Sequence, residues 1–163
     1  MTYDFNAIRI GAILAMLTLI FGIGMGVVFG ANEDAVKDYI KEGVAQHAGM
    51  HDDQSESKIW RYAQRAHFHA TGVGAFALGM IVLAGLSNMS RTLKMTTSVL
   101  IGIGSFYALA WLSMFMLSPS MGRGAAHEAL LTKAVTSVTV GAMLLGVALL
   151  SLHMIFGFGK SRD

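Results

Sequence analysis

Residues 8–30 read IRIGAILAMLTLIFGIGMGVVFG, an apolar run whose one charge is Arg9. At ~1.5 Å of rise per residue, a helix of this length crosses the ~30 Å hydrocarbon core of a bilayer. The run exceeds the roughly 7–15 apolar residues of a secretory signal, and Asp4 weakens the positive start that such a signal needs. Val28 and Gly30 make a poor small-residue cleavage site. The run is therefore expected to stay as an uncleaved first span. Three further runs, 67–86, 95–117 and 125–158, are of comparable length. The last is the longest and is expected to tilt or protrude. The expected fold is all-α, an integral membrane four-helix bundle, with residues 1–163 forming one transmembrane domain.

Composition agrees. Of 163 residues, 54% are hydrophobic and 13% charged, too apolar a balance for a soluble domain of this length. The chain has no cysteine, which excludes disulfides, thiolate metal sites and Fe–S clusters. A net charge of +2 gives no reason to expect nucleic-acid binding. The expected partners are the lipid bilayer and a larger membrane complex or further copies of the chain.

Arg9, the pair Arg91 and Lys94, and the pair Lys160 and Arg162 flank the spans where acids are few. The segment after the first span carries Glu33, Asp34, Asp38, Glu42, Asp52, Asp53 and Glu56. The positive-inside rule then places both termini in the cytoplasm, and the expected location is a bacterial inner membrane. The first loop and the 118–124 turn would face the periplasm. Trp60, Tyr62 and Trp111 would lie at that boundary as an aromatic belt.

Gly22, Gly26 and Gly30 fall four apart, a spacing that lets a second helix approach closely. They are expected to pack within the bundle rather than against another copy. Gly72, Gly74 and Gly79 offer a matching surface. Asn32-Glu33-Asp34 reads as a helix start with acids in its first turn. Val36, Tyr39, Ile40, Val44 and His47 then share one side of a short amphipathic helix in the first outer loop. This helix would lie on the membrane or over the mouth of the bundle.

The ionisable residues gather at the expected outer end. They are Glu33, the triplet His67-Phe68-His69, and His127-Glu128. Ionisable groups at the rim of a membrane bundle are costly without partners, so such a layer points to function. Ala66-His67 and Ala126-His127 open the second and fourth runs alike, which would put the two histidines at similar depth. His67 and His69 are about 200° apart around a helix, so they face different neighbours and cannot chelate one ion as a pair. His47 and His51, beside Met50, have metal-ligand spacing if helical, and imidazole with thioether suits copper. Arg65 and Arg123 are placed for headgroups, loop carboxylates or cofactor carboxylates.

The stretch Arg65-Ala66-His67-Phe68-His69-Ala70-Thr71-Gly72 resembles a helix start in the haem–copper oxidase catalytic-subunit superfamily. It also resembles small four-helix bacterial membrane proteins with an outer-side His-x-His. The likeness covers about twenty residues, and the further helices and copper-site histidines of an oxidase are missing. What it implies is a b-type haem on His67 or His69, with His127 as the other axial ligand. Arg65 and Arg123 would then hold propionates, and Glu33 and Glu128 would orient an imidazole. Haem b is the first cofactor expected and copper the second, in an electron-transfer or accessory subunit. The alternatives are a structural or assembly subunit, and a proton- or quinone-linked site.

Overall fold

Asp4 opens the first helix by accepting a hydrogen bond from Ala7 N on its side chain (3.2 Å). A computed structural model describes residues 4–160. Its helices are α1 (Phe5–Gln46), α2 (Ser55–Leu86), α3 (Arg91–Ser105), α4 (Ala108–Met121), α5 (Arg123–Glu128) and α6 (Leu130–Phe156). One 3-10 turn, Ala48–Met50, lies between α1 and α2, and no strand occurs among the described residues. α3 and α4 make one span, Arg91–Met121, interrupted at Phe106 and Tyr107. With α1, α2 and α6 this gives four helices long and apolar enough to cross a membrane, as expected of a multi-pass membrane protein.

Small side chains set the packing. The buried face of α2 includes Ile59, Ala63, Ala66, Ala70, Gly74, Ala77, Ile81 and Ala84, each three or four residues from the next. That of α1 is Ala7, Ile8, Gly11, Ala15, Thr18 and Gly22. Large apolar side chains point outward instead: Ile20, Ile23 and Leu144 are each about 60% exposed. A protein in water would cover that surface, whereas in lipid it is the expected outside and close van der Waals packing holds the inside. α1, α2 and the α3–α4 span pack against one another, and α6 leans mainly on α3.

The glycines carry this packing unevenly. A Cβ at Gly22 would meet Ala70 and Thr71 at 2.9 Å, and one at Gly26 would meet the His67 ring at 2.9 Å. Gly30 faces open space, so the contact stripe ends before it. Of the expected partners on α2, Gly74 touches Leu19, while Gly72 and Gly79 are open. The tightest approach lies elsewhere, where a Cβ at Gly11 would sit 2.1 Å from the Ser98 carbonyl oxygen.

Two boundaries differ from the sequence expectation. The amphipathic segment is not a separate helix. It continues α1 beyond Asn32, whose backbone alone leaves helical geometry (φ −140°, ψ 39°). With no glycine or proline at that point, the chain re-enters the helix at once. The segment does cover the mouth: Ile40 is buried and Tyr39 donates to Met116 O (2.9 Å). The fourth span starts at Leu130 rather than at residue 125. Ala129 is extended (φ −55°, ψ 138°) and separates α6 from the six-residue α5 that carries His127.

Both ends of the chain lie at one end of the bundle, here the tail end. There Ser90 N donates to Gly159 O (2.8 Å), and Met89 pairs with Lys160 in an antiparallel bridge. Buried His153 donates from Nδ1 to Phe158 O (2.7 Å), and its Nε2 lies 2.9 Å from the Asn88 side-chain amide. Lys94, also buried, donates to Gly85 O (3.1 Å). The opposite, loop end carries residues 47–54 and the α4–α5 turn.

Candidate functional site at the loop end

Each histidine of α2 is fixed by a backbone carbonyl. His67 Nδ1–H donates across to Gly22 O on α1 (2.8 Å), and the ring lies edge-on to Phe29. His69 Nδ1–H donates to Arg65 O one turn back (2.8 Å). Its ring packs on Tyr107 and Trp111 of the α3–α4 span, with centroids 5.3 and 5.6 Å away. The rotation between them sends His67 to α1 and His69 to α4, as helix geometry requires. In both, the carbonyl takes the Nδ1 proton and the neutral ring keeps a lone pair on Nε2.

The remaining expected site residues divide between two places. His127 Nδ1 lies 3.1 Å from Glu128, whose carboxylate also holds Lys133. Lys133 first and His127 second keep the Glu128 carboxyl below its usual range. Glu33 is elsewhere: it is exposed and paired with Lys37 (2.7 Å), which in turn lies over the Trp60 ring. Arg65 sits over Trp111, 4.7 Å from the ring centroid. Arg123 holds Asp52 (2.7 Å).

The single layer of three histidines and two glutamates is thus not assembled. His67 lies five residues, about 7.5 Å of helix, beyond Tyr62. Tyr62 shares a cavity of about 630 Å³ with His51, Arg123 and His127. His127 also lines a smaller cavity of about 220 Å³ with Tyr107, Trp111 and Lys133. Tyr107 and Trp111 thus carry His69 against their rings and also line the cavity that His127 enters, whereas His67 packs on α1. Tyr107 and Lys133, which carry no spacing signal in the sequence, belong to this neighbourhood.

α1 ends at Gln46, so His47 and His51 do not share a helical face. His47 Nδ1 turns back to Gly43 O (2.9 Å), and His51 Nε2–H donates to Pro119 O (3.0 Å). His51 Nδ1 and Trp111 Nε1 are buried without a hydrogen-bond partner among the described residues. No three His, Asp or Glu side chains among those residues come together as a metal-binding group.

Asp52 organises the loop. Its carboxylate accepts from Ser55 Oγ (2.8 Å), from Gln54 N (3.1 Å) and from Arg123. The Ser55 hydrogen bond, then the Arg123 charge, hold its carboxyl below the ordinary carboxylate value. A depressed folded pKa stabilises the loop above the unfolded value, about 3.9, and that stabilisation is lost as pH falls through the folded value. Protection factors of the amides in residues 48–54, taken against the intrinsic exchange rate at each pH, should therefore fall on acidification below about pH 4, and Asp52→Asn should show that lower protection already at neutral pH.

Comparison with known protein families, curated proteins and solved structures gives no match to this chain.

Proposed function

We propose that this chain is a small inner-membrane subunit that binds a redox cofactor at its loop end, on the periplasmic side. Haem b is the first choice and copper the second, in electron transfer or as an accessory to a larger membrane complex. The observation that carries the haem reading is the His69 imidazole. Its Nδ1 proton is committed to Arg65 O, which leaves Nε2 in the tautomer a metal requires, beside Tyr107 and Trp111. His127 lines a cavity with Tyr107 and Trp111 and is the second axial candidate. Arg65 supplies positive charge for a propionate. His67 has the same tautomer but is wedged against Gly26, and its part is to tie α1 to α2.

Protein purified after expression with adequate haem supply should show a sharp Soret band and split reduced α and β bands. His69→Ala should abolish or shift them, and His67→Ala should leave them in place. Colourless wild-type protein overturns the haem reading. The His67–Gly22 bond, which only joins helices, favours the competing role of a structural or assembly subunit; a wild-type protein free of both haem and stoichiometric metal would support it.

The periplasmic placement rests on the positive flanks of the spans. Four spans put both ends of the chain on one side, and Asp4 pairs there with Arg91 (3.7 Å). Cysteines at Asp53 and Ser120, both exposed, should react with an impermeant thiol reagent added to intact cells. Labelling only after the cytoplasmic face is opened reverses the orientation.

A further inference from the structure

The 630 Å³ cavity at the loop end brings together donors that lie far apart in the chain. Met50 and His51 enter from the loop, Met114 from α4 and His127 from α5. Met114 is buried, whereas Met50 is 60% exposed although it is a large apolar side chain. His51 is held by Pro119 O through Nε2–H, so its Nδ1 is a bare lone pair, and that atom is buried and unpartnered. A buried acceptor left unsatisfied is costly unless something occupies it.

We propose that this cavity binds a single copper(I) ion, with His51 Nδ1 and the thioethers of Met50 and Met114 as ligands and His127 closing the site. The proposal rests on the copper arm of the reading above, replaces His47 in its ligand set, and shares only His127 with the haem reading. The donor set selects the ion. Among the described residues the cavity wall supplies two imidazoles and two thioethers, a softer set than zinc or the harder divalent ions favour. Two imidazoles with two thioethers are soft, neutral ligands that suit copper(I). The charges on the wall also permit a cation, because Arg123 is neutralised by Asp52 at 2.7 Å. Gly122 (φ 79°) brings the α4–α5 turn against the loop, since a Cβ there would lie 3.1 Å from Met50 O.

The test is anaerobic titration of the full-length, haem-free protein in detergent with copper(I), in competition with a chromophoric copper(I) chelator. One equivalent should bind, and X-ray absorption should show both sulfur and nitrogen neighbours. Met50→Leu and Met114→Leu keep side-chain volume and should each weaken binding at least tenfold, as should His51→Ala. His47→Ala and His69→Ala should leave it unchanged, so loss of haem and loss of copper are separable. Met50 is exposed, so its leucine variant folds whatever its role. Absence of copper(I) binding overturns the site, as does binding that Met50→Leu and His51→Ala leave intact. Equal retention of zinc by the wild-type protein overturns the choice of ion.

Discussion

Gly11→Ala should destabilise the bundle more than any other glycine-to-alanine change in α1. The added Cβ would lie 2.1 Å from Ser98 O and 2.4 Å from Ser98 C, both backbone atoms of α3. A side chain can rotate away from a clash, but a helix backbone can only translate. Separating α1 from α3 strips contact from Ile8, Ala15 and Ile101, which share a buried cluster. It also stretches the bond from Thr18 to Ser105, now 2.8 Å. Overpacking costs about 1–3 kcal/mol where neighbours adjust, and the upper end or beyond is expected where they cannot. Thermal unfolding in detergent should show the loss. Gly24→Ala and Gly30→Ala, both facing open space, should stay within about 0.5 kcal/mol of the parent. Unfolding of the Gly11 variant alongside those controls would mean that α1 and α3 do not meet at this point.

The second large effect is local to α6. A Cβ at Gly104 would lie 2.5 Å from Met143 Cβ and 2.7 Å from its Cα. One turn closer to the tail end, Gly146 of α6 lies against α3 in return, where a Cβ would meet Ile101 Cγ1 at 2.6 Å. These reciprocal glycines seat α6 on the helix it mainly contacts. Gly104→Val should therefore loosen α6 while α1 and α2 stay packed. Hydrogen exchange measured by mass spectrometry should show α6 amides losing roughly 10- to 100-fold of their protection, equivalent to about 1.4–2.7 kcal/mol of local stability. Peptides from residues 59–84 should be unchanged. Gly141→Val, with nothing within 4 Å, controls for the residue type. Uniform loss of protection along the whole chain would show that α6 is integral to the core.

The spans were legible because hydropathy over twenty residues is a local property. The divergence of His67 and His69 was legible too, since two steps along a helix fix it. What each histidine meets depends on where α1 and α4 lie, which no local pattern encodes. The glycines show the same limit. Gly22, Gly26 and Gly30 stand out by spacing, yet the closest backbone approach uses Gly11, which has alanines rather than glycines four residues to either side. His127 was assigned to the fourth span because Ala125 and Ala126 continue the apolar run, and the break at Ala129 carries no glycine or proline to mark it. His47 and His51 have helical spacing, but α1 stops one residue before the first of them. The loop cavity depends on residues 50–52, 114, 123 and 127, separations over which sequence periodicity says nothing.

The fastening of the tail end has a mechanical consequence. Ser90 to Gly159 and His153 to Asn88 join the α2–α3 connection to the end of α6 and the residues after it, while Lys94 to Gly85 closes the connection itself. Among the described residues no side-chain hydrogen bond or ion pair joins α6 to α2 at the loop end. The helices are thus rods gripped at one base and held at the other by the bonds of the first loop and α1 to α4 and α5. A tilt of about 5° about that base swings the far tip of a ~40 Å rod by roughly 3.5 Å. A distance change of a few tenths of an ångström at the grip is magnified at the tips, where His51 meets Pro119 and Arg123 meets Asp52. Those two bonds therefore bear the amplified end of any tilt that begins at the grip.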